Sequence, residues 1–423
     1  MKLMNSSNIL TIIERTLNHV DMRMAGHGKR VSFLVHEVLA ARPWQFSARE
    51  VQDASVLALV HDIGAYKTSD ITNLLSFESH NCMEHALYGA LFLKAFSSLP
   101  DKTDSVLYHH LPATEYSKIG KVLPQDHLAG LICLCDRLEL LSRSCTIAQC
   151  LSRIQAARGT VFTSFWVDAF CKANDEYHIL ENLYNKEYES IYSAFAKHVR
   201  FSQSEKAACL ETLAYFIDFR SEFMVLHTVT TVSIAMVLGE MFAFDSDAMR
   251  ELQFGALLHD IGKVATPVEI LEKPGRLDEK EAEIMQKHVS LSREILHGCV
   301  KESICKIACR HHEKLDGSGY PDGLTSKDLS LSERMVAVAD VTSALIRKRS
   351  YKAAFDKAET MQILLDMANG GKLCPQIVAL VLDKFDEIMI QAQKNSEDMT
   401  MRYTQLKNEY QRIMLLIENW DAL

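Results

Sequence analysis

Apolar residues recur along this chain at three- and four-residue spacing, and the alternating runs that a half-buried strand needs are few. Ile9, Ile12, Ile13 and Leu17 form one stripe; Leu34, Val35, Val38 and Leu39 form another. Between Ile147 and Lys197 the spacing continues through Phe162, Phe165, Trp166, Phe170, Ile179, Leu183, Tyr184 and Tyr188. These are predicted core residues on helices that join two halves of the chain. The last stretch, Asn395 to Leu423, is charged and periodic through Tyr403, Leu406, Tyr410, Ile413 and Ile417. It reads as one amphipathic helix, either docked on its own domain or offered to a partner. With only eight prolines in 423 residues, the pattern predicts an all-α fold.

The polar positions repeat. In the second half, His227, His259-Asp260, His288, His311-His312 and Asp340 stand in an order that His27, His61-Asp62, His85, His109-His110 and Asp136 reproduce in the first. The step from the first His to the His-Asp pair is 32 residues in one half and 34 in the other; the following steps are 29 against 24, 23 against 24, and 28 against 26. Local context repeats as well: Leu257-Leu258-His259-Asp260-Ile261-Gly262 echoes Leu59-Val60-His61-Asp62-Ile63-Gly64. A single helical His is more often a satisfied polar group than a ligand, but an ordered set of this kind occurring twice argues for internal duplication. The repeat predicts two homologous helical domains, residues 1–200 and 201–423, a number that also suits the length.

Composition narrows the function. A net charge of −9 argues against a general nucleic-acid or anionic-membrane binder, so a small anionic substrate would need locally placed cations. No apolar run reaches membrane-spanning length, and the start of the chain has no signal-peptide pattern, so a cytoplasmic location is expected. The eleven cysteines are scattered without paired CxxC sets and read as reduced thiols on apolar helix faces.

Imidazole and carboxylate are the ligands that Fe, Mn and Zn prefer, and a carboxylate set among histidines can bridge two ions. Adjacent His259 and Asp260 would differ by about 100° on one helix, so they can address different sides of a site. Asp340 lies in an apolar run, Met335 to Ala339, where an unpaired carboxylate would be costly and a cation partner is favoured.

These residues, with His311-His312-Glu313-Lys314-Leu315-Asp316-Gly317-Ser318-Gly319-Tyr320-Pro321, resemble the HD superfamily of metal-dependent phosphohydrolases and, within it, the HD-GYP phosphodiesterases. The likeness is strong over residues 222 to 390 and weaker in the first half. It implies two divalent metal ions, Fe or Mn. By this resemblance His227, His259, Asp260 and Asp340 hold one ion, and Asp260, His288, His311 and His312 hold the other, with Asp260 bridging. Glu222 is the only nearby candidate for a third ion and reads as a solvated side chain.

The substrate the resemblance implies is cyclic di-GMP or 3',3'-cyclic GMP-AMP, cut to the linear dinucleotide, with mononucleotide as an open further product. Asp260 and Lys263 are the expected catalytic residues; Lys263, Tyr320, Arg349 and Lys352 are the expected substrate contacts, although Ser350 replaces the usual proline after the Arg. Alternatives are a phosphohydrolase for another nucleotide, or a non-catalytic scaffold that binds cyclic dinucleotide or a protein. A homodimer or a signalling partner is left open; no nucleic-acid polymer and no membrane is expected as partner.

The first half keeps all seven ligand types but loses the rest. Lys263 corresponds to Ala65, the glycine-rich loop to Leu111-Pro112-Ala113-Thr114-Glu115-Tyr116, and the two late cations to Cys145 and Ala148. Three readings follow: a hydrolase for another substrate, a metal-bearing regulatory domain, or a scaffold with remnant histidines.

Overall fold

The protein is described by a computed structural model covering residues 4–66, 83–118, 122–221, 224, 226–346 and 355–421. The described residues form helices and short 3-10 turns, with only isolated bridges in place of strands. The fold is all-α, as the spacing predicts.

The chain divides into two compact units. The first-half unit comprises Val20–Glu205 and Leu406–Leu423; the second-half unit comprises Met1–His19 and Lys206–Gln405. Helix α1 (Ser6–Asn18) therefore belongs with the second half. Its predicted stripe of Ile9, Ile12, Ile13 and Leu17 is buried. Asn8 Nδ2 donates to Cys299 O at 2.6 Å, and the Arg15 guanidinium donates to the carbonyls of Glu294, Ile295 and His297.

In the first-half unit, α2 (His27–Ala40), α3 (Ala48–Leu59), α4 (Met83–Phe96), α5 (Asp104–Leu107) and α6 (Leu128–Ser142) carry the five ligand segments. Four more helices follow: α7 (Ile147–Ala156), α8 (Ser164–Tyr177), α9 (Ile179–Tyr184) and α10 (Tyr188–His198). They pack Phe162, Trp166, Phe170, Ile179, Leu183 and Tyr188 into one core with Leu34, Val35 and Val38 of α2. Phe165 packs at the edge of that core. Tyr184 is a correction to the expected core: it lies at the surface, where its phenol donates to the Cys145 carbonyl and so needs no burial.

The second-half unit repeats the scheme with α11 (Gln203–Asp218), α12 (His227–Met241), α13 (Ser246–Leu257), α14 (Val268–Leu271), α15 (Glu279–Leu296), α16 (Glu302–Cys309) and α17 (Leu331–Leu345). Helices α18 (Lys357–Asn369) and α19 (Pro375–Asp383) close it. Its core joins Ile234 and Leu238 of α12 to Val336 and Val338 of α17 and to Leu364, Ile377 and Val381. Capping boxes start α15 (Asp278 with Glu281) and α17 (Ser330 with Glu333), fixing where those ligand-bearing helices begin. The terminal helix α20 (Phe385–Asp421) begins ten residues before the predicted Asn395. It contributes Ile388 and Ala392 to the second-half core, while Tyr410 donates to Glu84 Oε1 in the first-half unit.

Candidate metal centre

His227, the His259-Asp260 pair and the His311-His312 pair sit where a helix begins or has just ended, so that neighbouring side chains are free of strict helical spacing, whereas His288 and Asp340 lie within α15 and α17. His227 opens α12. No residue on that helix caps it; instead the buried Asp218 carboxylate accepts from Thr228 N–H at 3.1 Å and Thr228 Oγ1–H at 3.0 Å. Burial, with the Asp260 charge nearby, pushes Asp218 up to about 7. His259 and Asp260 occupy the turn between α13 and the 3-10 turn Ile261–Ala265. That turn presses against α15 so closely that a Cβ on Gly262 would lie 2.0 Å from the His288 carbonyl oxygen. Ser292 latches the contact, accepting from Gly262 N–H at 2.9 Å and donating to His259 O at 3.2 Å.

The Nδ1–H of His259 donates to Ala256 O at 2.7 Å, that of His288 to Met285 O at 2.5 Å, and that of His311 to Ala308 O at 2.8 Å. Each bond places the remaining lone pair on Nε2, pointing at the centre. There Asp260 divides its oxygens. Oδ2 faces His259 Nε2 at 3.2 Å and His227 Nε2 at 3.6 Å; Oδ1 faces His288 Nε2 at 3.4 Å and His311 Nε2 at 3.8 Å. Asp340 Oδ1 stands 3.1 Å from His227 Nε2, and its Oδ2 stands 3.8 Å from His312 Nδ1. Lys263 Nζ donates to Asp260 Oδ2 at 2.5 Å.

Burial opposes charge on Asp260 and Asp340, yet His259 and Lys263 beside the first, and His227 beside the second, hold both carboxyls well below the usual range. Burial pulls His288 down to about 4 and His312 to about 3, so both offer neutral imidazole at neutral pH. Burial also opposes charge on His259, but Asp260 outweighs it and raises the ring to about 9; a cation would displace that proton. Asp260 Oδ1 is buried without a hydrogen-bond partner among the described residues. Lone pairs and carboxylate oxygens converge here with few protons between them, and the groups His227/His259/Asp260 and His288/His311/His312 have metal-ligand spacing. The donor set fits divalent metal ions.

Beside the centre runs the loop from Glu313 to Leu324. Glu313, 1% exposed, accepts from Asp322 N–H at 2.7 Å and Leu324 N–H at 2.8 Å and so gathers the loop around one carboxylate. A Cβ on Gly319 would lie 2.4 Å from Lys314 N, so only glycine permits this fold-back. The Tyr320 ring lies 4.8 Å from that of His312, at 31°. Arg349, Lys352 and Glu222 lie outside the described residues.

The first-half unit gathers its own set. His27 Nε2 is 3.4 Å from Asp62 Oδ2 and 3.3 Å from Asp136 Oδ1; His61, His85 and His109 each place Nε2 at 3.4–3.5 Å from Asp62 Oδ1. His110 Nε2 lies 3.1 Å from His85 Nε2. His27 Nε2, His61 Nε2, His109 Nε2 and Asp62 Oδ1 are buried without hydrogen-bond partners among the described residues.

Sequence reasoning did not find the groups that orient the ligands. His27 Nδ1–H donates to Glu139 Oε2 at 2.6 Å, and Glu139 is in turn held by Arg30 and Arg143. Burial opposes charge on Glu139, but His27 and Arg30 bring it down to about 2. In the second half His227 Nδ1 meets Ser343 Oγ at 3.2 Å. Glu139 and Ser343 each lie three residues after the last Asp, one turn along the same helix face, and that shared register was the available signal.

Comparison with known proteins agrees with the geometry. Residues 211–377 and residues 24–141 match two family models, each described as HD domain. The 3'3'-cGAMP-specific phosphodiesterase 1 of Vibrio cholerae is 29% identical over 389 residues, covering 88% of this chain and 89% of that protein. A second V. cholerae protein, 3'3'-cGAMP-specific phosphodiesterase 2, is 37% identical over 42% of this chain and 34% of its own length. The cyclic di-GMP phosphodiesterase response regulator RpfG of Xanthomonas campestris is 39% identical over 34% of this chain and 39% of its own. A crystal structure of a cyclic GMP-AMP-specific phosphodiesterase from V. cholerae superposes with TM-score 0.56 at 17% identity, over 90% of this chain and 97% of that one, and shows the same helical fold. The chain belongs to the HD-domain family, with one HD domain in each of its two units.

Proposed function

We propose that the second-half unit is a metal-dependent phosphodiesterase that hydrolyses a cyclic dinucleotide, cyclic di-GMP or 3',3'-cyclic GMP-AMP, to the linear dinucleotide. The observation that carries the reading is the division of Asp260 between two imidazole pairs beside the Gly-Tyr-Pro loop. The named relatives act on these substrates.

His227, His259, Asp260 and Asp340 would hold one ion, and Asp260, His288, His311 and His312 a second; Fe and Mn suit this nitrogen and oxygen set. Bound there, such ions polarise a phosphoryl group and lower the pKa of water toward neutrality. The backbone acceptors of His259, His288 and His311 keep their Nε2 lone pairs aimed inward. Lys263 supports the charge on Asp260 and, in this reading, turns toward substrate phosphate when metal takes its place. Glu313 holds the loop that presents Tyr320, and Arg349 and Lys352 are the cations assigned to phosphate.

The test is turnover of cyclic di-GMP, 3',3'-cyclic GMP-AMP and cyclic di-AMP by the purified chain loaded with Mn(II) or Fe(II). Hydrolysis of one or both of the first two is expected. A metal-loaded chain that turns over none of the three would refute the reading.

A further inference from the structure

Three consecutive buried residues at the end of α11, Asp218, Phe219 and Arg220, reach three different elements of the second-half unit. Asp218 accepts from the backbone N–H and the hydroxyl of Thr228, the residue after His227. The Arg220 guanidinium donates to Lys263 O at 2.9 Å and to Val264 O, on the 3-10 turn that follows His259 and Asp260. Between them the Phe219 ring lies 4.7 Å from that of Tyr403 on α20, at 48°. The segment itself is held as a continuation of α11: Phe219 N–H donates to Tyr215 O at 2.9 Å and Arg220 N–H to Ile217 O at 3.2 Å.

One short, anchored segment thus grips both the start of the helix that carries His227 and the turn that carries Asp260 and Lys263. Burying a carboxylate and a guanidinium is costly unless each is bonded, and here the bonds of both go to backbone or side chain next to the centre. The first half has no such arrangement available. At the same distances before His27 stand Asn18 and Val20, and Gly28 takes the place of Thr228. Val20 and Gly28 have no side-chain hydrogen-bonding group. The half with the brace is also the half with Lys263, where the other has Ala65. We propose that Asp218 and Arg220 are positioning residues: they hold His227 in register with His259 and Asp260, and fix the backbone from which Lys263 reaches the centre. The inference rests on reading that centre as a metal site.

The experiment titrates Mn(II) into the full chain and follows the binding that Asp260→Ala abolishes, which belongs to the second-half centre. Asp218→Ala and Arg220→Met should each weaken that binding by about 10–100-fold, the usual cost of removing a group that orients metal ligands, and kcat should fall with it. Asp218→Asn should restore the affinity to within a few fold, because its amide oxygen still accepts from Thr228 N–H and its amide N–H can donate to Thr228 Oγ1. Thr228→Val should weaken binding alone but add little to Asp218→Ala, since the two remove the same hydrogen bond. Wild-type Mn(II) affinity in Asp218→Ala or Arg220→Met, whatever the change in Tm, overturns the inference. So does an Asp218→Asn as weak as Asp218→Ala, which would give the role to the charge and not to the hydrogen bonds. Should Asp218→Ala fail to fold, Thr228→Val and Arg220→Met decide, and wild-type affinity in either overturns the proposal. If no cyclic dinucleotide is turned over, the functional reading falls while the Mn(II) affinities still decide the brace.

Discussion

Gly262→Ala tests whether the contact between the His-Asp turn and α15 sets the metal centre. The added Cβ would lie 2.0 Å from His288 O and 2.7 Å from Ser292 N, whereas real Cβ atoms essentially never come within 3.0 Å of a neighbour. The turn and the helix must therefore part by about 1 Å. Asp260 rides on the turn and His288 on the helix, so their 3.4 Å approach opens by a similar amount. A misplacement of about 1 Å can cost roughly 100-fold in rate, equivalent to about 2.7 kcal/mol of transition-state stabilisation. The expected outcome is a fall in kcat/KM of about that size on a cyclic dinucleotide, with reduced Mn(II) content and a lower Tm. The matched control is Gly64→Ala, whose Cβ would lie 2.0 Å from His85 O in the first-half unit. It should lower stability to a similar degree while leaving turnover within a few fold. If Gly262→Ala keeps wild-type kcat/KM and full metal content, the close approach has no part in holding the site and the reasoning fails.

Three further outcomes are expected. Glu313→Ala strands two backbone N–H groups whose hydrogen bonds to a charged acceptor are worth about 1.5–3 kcal/mol each, so kcat/KM should fall at least tenfold with metal content unchanged; loss of metal would place Glu313 in the centre itself. Chelation should lower Tm, because ions that bind only the folded chain stabilise it by mass action, and readdition of Mn(II) should restore it; an unchanged Tm would argue that the clustered carboxylates need no cation. His36 is pushed by burial down to about 4, so the folded state binds its proton more weakly than the unfolded chain. Its stabilisation is complete above the ordinary pKa of about 6.5 and is lost as pH falls toward 4; His36→Phe should flatten the Tm–pH curve in that window, and an unaltered slope would contradict this.

Much of this was legible in the sequence because its causes are local or periodic. Apolar spacing marked α1, α2 and the helices after Ile147, and the doubled order of His and Asp residues marked both clusters. What escaped depends on a partner distant in sequence or on tertiary fit. Glu139 reads as an ordinary helical carboxylate until His27, 112 residues away, lies against it. Arg137 looks like one cation among many until its guanidinium reaches His110. Gly262 stood in the repeated segment, but its reason, the backbone of α15 pressed against it, is not written in neighbouring residues. The placement of α1 in the second-half unit likewise follows from Arg15 and Asn8 meeting carbonyls nearly 300 residues on, beyond the reach of periodicity.

The assignment of catalysis to the half with the Gly-Tyr-Pro loop is tested most directly by one pair of rates, Asp260→Ala beside Asp62→Ala, at equal protein and saturating Mn(II) on the preferred cyclic dinucleotide. Removing Asp260 takes away the carboxylate that faces both imidazole pairs, so turnover should vanish. Removing Asp62 alters a cluster whose loop lacks the glycines and in which Ala65 stands in place of Lys263, so most turnover should persist. An inactive Asp62→Ala beside an active Asp260→Ala would contradict the assignment and move the chemistry to the first-half unit.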